Sequence, residues 1–359
     1  MCSHLRRALA SLATLLMACS ASDHPASPTA PVDSLSAGAI YVKAMMDVMQ
    51  AHSINRKTIN WNSFRTQVLA GIPAGANVNA TFPAIRTALT LLGDNHSFYT
   101  STGGAVLSGS SLSCSAPTVT GMPTTGADVG YVRVTGFSGT AAQAQAFTDS
   151  IQSAIKAADS GQVRGWIVDL RGNSGGNMWP MIAGIGPILG TGTAGYFIDP
   201  DGAVMSWGYS GSASQLNGAV MQVASAPHTV SSSSPKVAVL IDQRVGSAGE
   251  AVAVAFKQRA NTRFFGTATC GASTANVDYR LSDGALLHLT ESVMADRTKQ
   301  AYGGPLQPDE VLSDMFAVVP RAVAWLRAGA DQSESAIPGS SLRGPSRNDV
   351  TLEEERNRD

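Results

Sequence analysis

The spacing of hydrophobic residues changes along the chain and divides it into regions. Between residues 33 and 92, apolar residues recur every three to four positions, a pattern typical of amphipathic helices. This region is predicted to hold three helices. The first is capped by Asp33 or Ser34, and its apolar side carries Ile40, Val42, Met45, Met46 and Met49. The second covers Trp61–Leu69, and the third covers Phe82–Leu92.

After about residue 128, short apolar runs alternate with helical segments. Continuous apolar runs are typical of strands buried on both faces. The predicted strands are Tyr131–Val134, Trp166–Leu170, Val237–Ile241, Phe264–Phe265, and the pair Val277–Leu281 and Ala285–Leu289, which the hairpin turn Ser282-Asp283-Gly284 joins. The predicted helices are Ala141–Ala158, one that Gly186-Pro187 ends near Ile185, Gly246–Gln258, and one with Pro320 in its first turn that runs to Ala328. Repeated strand–turn–helix units imply an α/β core.

The two ends of the chain differ from this middle. Arg6 and Arg7 precede a short apolar run that ends directly before Cys19. This run is too short to span a bilayer, and together with the two arginines it predicts a signal peptide over residues 1–19. The end of the run resembles a bacterial lipobox and implies lipid attachment at Cys19; a cleaved secretory peptide without lipid is the alternative. Ser20 does not look like an inner-membrane retention signal, so we expect an anchor in the outer membrane, facing the periplasm. Residues 20–32 are predicted to be a flexible tether, and residues 331–359 a disordered tail.

Composition narrows the possible functions. The chain has 359 residues, of which 44% are hydrophobic, enough for one large or two smaller domains. A formal net charge of −1 gives no electrostatic basis for nucleic-acid binding. Outside the signal segment the cysteines are Cys114 and Cys270, which an oxidising compartment would allow to pair; two free thiols are the alternative. The sequence has no metal-ligand spacing.

Two turns that follow predicted buried strands carry candidate chemistry. The first is Asp169-Leu170-Arg171-Gly172-Asn173-Ser174-Gly175-Gly176, and the second is Gly246-Ser247-Ala248-Gly249-Glu250. Glycines in the first turn either only shape it or present N–H groups to an oxyanion at a helix N-terminus. Ser247 either caps the helix or exposes its Oγ as a nucleophile. No Walker lysine follows the glycines, which disfavours phosphate binding.

A third stretch, Leu92–Tyr99, follows the third predicted helix and contains His96 in a polar, turn-like cluster beside Asp94. On its own such a residue is better explained as a histidine of a surface loop. A neutral imidazole is also the side chain best suited to act as a general base near neutral pH.

Together these stretches resemble the C-terminal processing (tail-specific) serine peptidase family. The matching segments are Gly130–Val134 for a core strand, Asp169–Gly176 for the Asp-Leu-Arg-x-Asn-x-Gly-Gly motif, Gly246–Glu250 for the Ser-Ala-x-Glu nucleophile motif, Gly266–Asn276 for the segment that carries the base in lysine-dependent members, and Pro308-Asp309 for a closing Pro-Asp. The resemblance implies a crotonase-like (ClpP/crotonase-type) α/β core of β-β-α units over residues 128–330, with an N-terminal helical subdomain over residues 33–100.

The resemblance also assigns roles residue by residue. Ser247 would be the nucleophile, and the N–H groups of Ala248 and Gly176 would form the oxyanion hole. Arg171 and Asn173 would support the motif. The step Thr269-Cys270-Gly271 is followed by Ala272 where bacterial tail-specific proteases have their catalytic lysine. The sequence is therefore more similar to the tricorn-core branch, in which a histidine before the core is the base, and His96 occupies that place.

Two features of that branch are not matched. Its serine before the histidine is Asn95 here, and its downstream glutamate has no secure counterpart; Glu291, Asp296 and Asp94 are the candidates for an acid that orients His96. Only about thirty residues separate Tyr99 from Gly130, too few for the PDZ domain that many family members carry.

The predicted function is hydrolysis of peptide bonds in polypeptides or peptides, through an acyl-enzyme on Ser247 with His96 as general base and without cofactor or metal. Two alternatives stay open: a catalytically inactive family member that binds a hydrophobic ligand or peptide, and an esterase or amidase that acts on small molecules. The sequence leaves the oligomeric state open.

Overall fold

The computed structural model describes residues 35–118 and 121–328. The predicted signal peptide, tether and tail, and with them Cys19, lie outside the described residues. The α-helices are α1 (Ala37–His52), α2 (Trp61–Ala70), α3 (Phe82–Leu91), α4 (Ala141–Ala158), α5 (Met178–Leu189), α6 (Ala248–Phe256) and α7 (Met315–Arg327), and a 3₁₀ turn covers Asn79–Thr81. The strands are β1 (Phe98–Thr100), β2 (Val106–Ser108), β3 (Val129–Arg133), β4 (Gly165–Asp169), β5 (Gly192–Ile198), β6 (Val204–Ser210), β7 (Ala213–Leu216), β8 (Ala219–Val223), β9 (Lys236–Ile241), β10 (Thr262–Gly266), β11 (Thr274–Arg280), β12 (Leu286–Asp296) and β13 (Glu310–Val311).

A parallel five-stranded sheet with the order β13-β10-β9-β4-β3 forms one layer. Along β9, Val237, Val239 and Ile241 join the apolar cluster that includes α5 and α6, while Ala238 and Leu240 join the cluster that includes α7. Both faces are thus buried, as the continuous apolar runs predicted. The α/β class of the core is confirmed.

The neighbouring strands β3, β4 and β9 run in parallel, so the segments that follow them meet at one edge of the sheet. Gly246 N donates to Asn173 O at 3.0 Å, which joins the turn after β9 to the turn after β4. The two motif turns are therefore neighbours because the strands before them are neighbours.

A second sheet of eight strands has the order β2-β1-β12-β5-β6-β7-β8, with β11 paired to β12. The long strand β12 pairs with β1, β5 and β11. Helices α1, α2 and α3 pack in one apolar cluster with Tyr99 of β1 and with Leu287 and Leu289 of β12. The helical region is thus docked on the second sheet. Among the described residues no helix is long and apolar enough to cross a membrane.

The first helix differs from its prediction at two points. Its cap is Ser36, whose Oγ accepts a hydrogen bond from Ala39 N, and Asp33 and Ser34 lie outside the described residues. Val42 and the three methionines, Met45, Met46 and Met49, are buried as predicted, whereas Ile40 is 57% exposed. Tyr41, which is 5% exposed, takes the place that Ile40 was expected to fill.

Helix α5 was predicted to stop near Ile185, but it continues through Pro187 to Leu189. A proline inside a helix removes the hydrogen bond to the carbonyl four residues earlier, here that of Ala183. The carbonyl of Ala183 instead accepts from Gln152 Nε2 of α4 at 2.8 Å. A contact from a neighbouring helix thus replaces the missing bond, and the helix continues.

Helix α7 also differs from its prediction. It begins at Met315, with Asp314 as its cap, so Pro320 lies inside the helix and not in its first turn. The carbonyl that Pro320 leaves without a helical donor is that of Phe316, a residue that is 82% exposed. Solvent can satisfy that carbonyl, which explains why the proline is tolerated there.

Strands β5 to β8 were not predicted from the sequence. Glycines within them weaken the local strand pattern, yet two of these glycines are required by packing. A Cβ on Gly195 would lie 2.3 Å from the Trp207 indole, and one on Gly208 would lie 2.1 Å from Gly192 O. The alternating strand pattern is weak here because neighbouring strands approach so closely that glycine stands where a larger side chain would otherwise mark the pattern.

Candidate active site

The turn that carries Ser247 is held in a conformation rare for a residue with a side chain. Its φ is 51° and its ψ is −120°, at the junction between β9 and α6. A positive φ outside glycine is unusual and requires support from its surroundings. The following residues supply that support: a Cβ on Gly249 would lie 2.4 Å from Asn173 O, so only glycine lets the two motif turns pack this closely.

Glu250 provides the second support for the serine. The side chain is fully buried, and its carboxylate accepts from Ser247 N at 3.1 Å, from Thr269 Oγ1 at 2.5 Å and from Gly271 N at 2.9 Å. Burial raises the pKa of the Glu250 carboxyl, while the donated hydrogen bonds act in the opposite direction. The carboxylate thus fixes the backbone of Ser247 and joins it to the segment around residue 270.

The N–H groups of Gly176 and Ala248 are both free at this turn. Phe137 pairs with the glycine turn through Phe137 N to Gly175 O at 3.0 Å and Asn177 N to Phe137 O at 2.7 Å. In such a parallel bridge the N–H of Gly176 points away from Phe137. In the part of the chain that the structure describes, neither this N–H nor that of Ala248 donates to a protein acceptor.

Gly175, directly before Gly176, packs against Ser247 and the free N–H of Ala248. A Cβ placed on it would lie 2.8 Å from Ser247 Cβ and 3.0 Å from Ala248 N. The glycine turn therefore lies directly against the serine turn. Two free amide donors beside a serine hydroxyl form the arrangement that stabilises the oxyanion of acyl transfer.

The imidazole of His96 approaches the serine from the loop between α3 and β1. His96 Nε2 lies 2.9 Å from Ser247 Oγ, within hydrogen-bond reach. The other ring nitrogen, Nδ1, lies 2.8 Å from Thr274 Oγ1. Burial lowers the pKa of His96 to about 4, and the nearby charge of Asp94 acts in the opposite direction. The ring is therefore neutral at pH 7, the state in which a histidine can accept a proton.

Asp94 holds the backbone of this loop and not the ring. Its Oδ1 accepts from His96 N at 2.9 Å and from Ser97 N at 2.6 Å, and its Oδ2 accepts from Ser97 Oγ at 2.8 Å. From the second sheet, Asn276 Nδ2 donates to His96 O at 2.9 Å. The histidine backbone is thus fixed on both sides.

The prediction of an acid that orients the ring was wrong. Glu291 accepts from Tyr279 OH at 2.5 Å, and Asp296 accepts from Thr298 and Tyr302 in the turn after β12; neither makes a hydrogen bond to His96. Asp94 bonds to the backbone N–H of His96 and makes no hydrogen bond to its ring. The partner of Nδ1 is instead Thr274, which the sequence did not single out, because a threonine at the start of a strand is normally explained by strand propensity.

Arg171 and Asn173 lie within the turn after β4, as predicted. The Arg171 guanidinium donates to both carboxylate oxygens of Asp169, at 2.9 Å and 2.7 Å, and to Met315 O at 3.1 Å. Asn173 Nδ2 donates to Val134 O at 3.1 Å, and its Oδ1 accepts from Gly175 N at 3.0 Å. The side chains of Arg171 and Asn173 stabilise the turn through these hydrogen bonds and make none to Ser247.

Cys114 and Cys270 form a disulfide, which decides between the two possibilities that the sequence left open. Cys270 lies between Thr269 and Gly271, the two residues that donate to Glu250, and its N–H donates to Val245 O at 2.8 Å. The bond therefore ties the segment that follows β2 to the support beneath Ser247.

Two turns of one sheet and a loop from the helical region thus bring together a hydroxyl, an imidazole and two free amide donors. Ala272, which the resemblance aligns with a lysine, is 8% exposed and its methyl side chain carries no basic group. Among the described residues, no group of three or more histidine, cysteine or acidic side chains could hold a metal ion.

Comparison with known proteins identifies relatives of this chain by sequence. A "Nisin-resistance protein" of Lactococcus lactis subsp. lactis is 30% identical over 196 residues, which are 54% of this chain and 58% of that protein. The carboxy-terminal processing protease CtpA of Bacillus subtilis (strain 168) is 28% identical over 163 residues, 45% of this chain and 30% of that protein. The matches thus span less than two thirds of these relatives.

Solved structures share the fold. A lipoprotein from Streptococcus agalactiae superposes with a TM-score of 0.64 at 20% identity, over 81% of this chain and 96% of that one. The photosystem II D1 C-terminal processing protease gives a TM-score of 0.54 at 17% identity, over 81% and 97% of the two chains. The sequence profile of peptidase family S41 matches residues 128–312, more than half of the chain and the whole stretch from β3 through the two motif turns to β13. The chain belongs to peptidase family S41.

Proposed function

We propose that this chain hydrolyses peptide bonds of polypeptides or peptides through an acyl-enzyme on Ser247, with His96 as general base. The observation that carries the proposal is the 2.9 Å contact between His96 Nε2 and Ser247 Oγ beside two unbonded amide donors. Membership of the S41 family supports peptides as the substrate class.

The reaction follows from these groups. His96 Nε2 takes the proton of Ser247 as the Oγ attacks the substrate carbonyl, and the N–H groups of Gly176 and Ala248 bind the oxygen that becomes negative. The imidazolium then gives its proton to the leaving amine. Water, activated by the same imidazole, attacks the acyl-enzyme and releases the second product.

A histidine base distinguishes this site from a Ser-Lys dyad. Ala272 stands where the resemblance expects a lysine, and Lys257, directly after α6, donates to Gln307 O at 2.8 Å. This supports a mechanism of the tricorn-core type. A neutral imidazole serves as base without the strong desolvation that a lysine needs before it can lose its proton.

We further propose that the protein is a lipoprotein of the bacterial cell envelope, anchored through Cys19 in the outer membrane and facing the periplasm. The apolar run before Cys19 and the lipobox-like sequence support this. The Cys114–Cys270 disulfide fits an oxidising compartment. Replacement of Cys19 by alanine is expected to move the protein from the membrane fraction to the soluble fraction, and unchanged membrane association would contradict the lipid anchor.

The catalytic proposal is tested with Ser247→Ala. A fluorophosphonate probe should label the wild-type protein and not this variant, and cleavage of unfolded polypeptides should fall to background. The matched control is Ser160→Ala, which removes the hydroxyl of an exposed serine after α4 and should leave labelling unchanged. Because one relative is named for nisin resistance, nisin is a direct choice among the peptide substrates.

The outcome also separates the two alternatives. Labelling of Ser247 together with cleavage of small esters but not of peptides would favour an esterase or amidase. Absence of labelling, together with a lipid or peptide that copurifies with the protein, would favour an inactive binding protein.

A further inference from the structure

The ring of His96 is held at both nitrogens by hydroxyl groups, and one of these hydroxyls is not the nucleophile. Thr274 Oγ1 lies 2.8 Å from Nδ1, and Thr274 is only 9% exposed. The three acids that could have filled this role do not touch the ring. We infer that Thr274 is the positioning residue of the base: its Oγ1 accepts the Nδ1–H hydrogen bond and so turns the lone pair of His96 Nε2 toward Ser247. This inference rests on the proposed function.

The direction of the hydrogen bonds follows from the chemistry of the pair. Ser247 must donate its O–H to Nε2 before the proton can transfer, so Nε2 carries no hydrogen in the reactive state. A neutral imidazole then has its hydrogen on Nδ1, and this N–H needs an acceptor because the ring is largely withdrawn from solvent and only partly exposed. Thr274 Oγ1 is the acceptor within reach.

The strand that carries Thr274 is built to hold the loop at two points. Thr274 begins β11, and its pairing with β12 shifts register between Ala275 and Asn276. Such bulges change the direction of side chains, often beside active sites. Asn276 binds the carbonyl of His96 at 2.9 Å while Thr274 binds its ring, so β11 fixes the backbone and the side chain of the base together.

The same segment also reaches the nucleophile. Thr269 and Gly271 donate to Glu250, which accepts from the backbone N–H of Ser247. Residues 269–276 therefore contact both halves of the site within eight positions. In this chain the segment that resembles the lysine-bearing segment of other members supports a histidine from elsewhere.

A hydroxyl in this position acts differently from a carboxylate. It accepts the Nδ1–H bond in both the neutral and the protonated ring, but it adds no negative charge to stabilise the imidazolium. The lowered pKa of His96 agrees with a buried ring that has no carboxylate against it. The ring is therefore oriented without being made more basic.

The first experiment compares Thr274→Val, which keeps the shape and removes the hydroxyl, with Thr274→Ser, which keeps the hydroxyl. We expect Thr274→Val to lower kcat by roughly 10- to 100-fold and to leave KM within about twofold of wild type. This loss in kcat is smaller than the ~10⁴-fold loss on replacing the acid of a Ser-His-Asp triad, because the hydroxyl carries no charge. Thr274→Ser should stay within about threefold of wild type. The matched control is Thr81→Val, which removes a buried hydroxyl bonded to Val78 O in the helical region and should not change kcat.

The second experiment reads the ring directly and does not depend on turnover. Nitrogen-15 NMR of the His96 ring should show the hydrogen on Nδ1 in the wild type and in Thr274→Ser, and a mixture of the two tautomers in Thr274→Val. A wild-type ring with its hydrogen on Nε2, or a Thr274→Val variant with unchanged kcat and tautomer, would overturn the inference. If Ser247→Ala still cleaved peptides, the proposed function would fall instead, while the NMR result would still decide the role of Thr274.

Discussion

The proposed nucleophile and the proposed base of this site are held in different ways. Ser247 lies in a turn fixed by residues 173–176 and by Glu250, which follow two adjacent parallel strands of one sheet. His96 lies in a loop whose position depends on Thr274 and Asn276, on a strand of the other sheet. The nucleophile is thus placed by backbone packing within short motifs, and the base by side-chain contacts between distant segments. The serine turn therefore depends on close backbone contacts that require glycine, while the histidine depends on the side chains of Thr274 and Asn276.

The largest effect is expected from removing the base. His96→Ala should lower kcat by about 10³- to 10⁵-fold, since the Ser247 proton then has no acceptor. Added imidazole should restore part of the activity, because the ring would enter a cavity that keeps Thr274 and Ser247 in place. Peptidase kinetics with and without imidazole measure both effects. Activity of His96→Ala close to wild type would show that the serine is activated by another group.

The nucleophile half is tested next with Gly176→Ala. The new Cβ would lie 1.9 Å from Phe137 O at a φ of 107°, so the turn must move and its N–H with it. We expect kcat to fall by about 10²- to 10³-fold, the usual cost of losing one oxyanion donor. The control is Gly190→Ala, which has a φ of 88° at the end of α5 and nothing within 4 Å of the new Cβ. Its conformational strain is similar, but its kcat should remain near wild type.

The burial of the base predicts a pH dependence with a defined sign. Since the pKa of His96 is lowered to about 4, kcat/KM should persist in mild acid and fall only as the pH approaches 4. The unfolded chain binds that proton near pH 6.5, so the free energy of unfolding should be highest above pH 6.5 and should decrease as the pH falls from 6.5 to 4. The titration of His96 is expected to lower the free energy of unfolding by about 3 kcal/mol.

Urea unfolding at pH 7.0 and pH 4.5 measures this loss, with His96→Gln as the control that lacks the titrating ring. The decrease in the free energy of unfolding should be smaller in His96→Gln by a comparable amount. An acid limb of kcat/KM near pH 6.5 would instead describe a solvated imidazole and would contradict the buried contact with Thr274.

The smallest effect is expected from Asp94→Asn. The amide oxygen can still accept from the N–H groups of His96 and Ser97, so the loop should keep its shape. The substitution removes the negative charge and the Oδ2 acceptor of the Ser97 Oγ–H. Because the charge raises the pKa of His96, the acid limb should move to lower pH by less than about one unit. The pH profile of kcat/KM measures this shift. A loss of activity as large as that of His96→Ala would make Asp94 the orienting acid after all.

The sequence predicted the turns around Gly176 and Ser247, which short motifs encode, and the family resemblance assigned His96 as the base. The turns at Gly176 and Ser247 each follow a buried strand whose apolar run is visible in the sequence. The two turns lie next to each other because the strands before them, β4 and β9, pair in parallel. Thr274 was missed because its role depends on a contact across 178 positions of sequence with no local pattern. The continuation of α5 through Pro187 was missed for the same reason, since Gln152 on another helix satisfies the freed carbonyl. Local chemistry predicted the elements, and tertiary hydrogen bonds decided the exceptions.

The separation of the two halves also affects when activity can begin. His96 precedes Ser247 by 151 residues, and the ring is held by strands that end only at residue 296. A chain that emerges from the ribosome or the export channel with its N-terminus first therefore carries the imidazole long before any hydroxyl can meet it. In the proposed mechanism, cleavage therefore requires the chain through residue 296 to have emerged and folded, because a shorter unfinished chain would lack the assembled site.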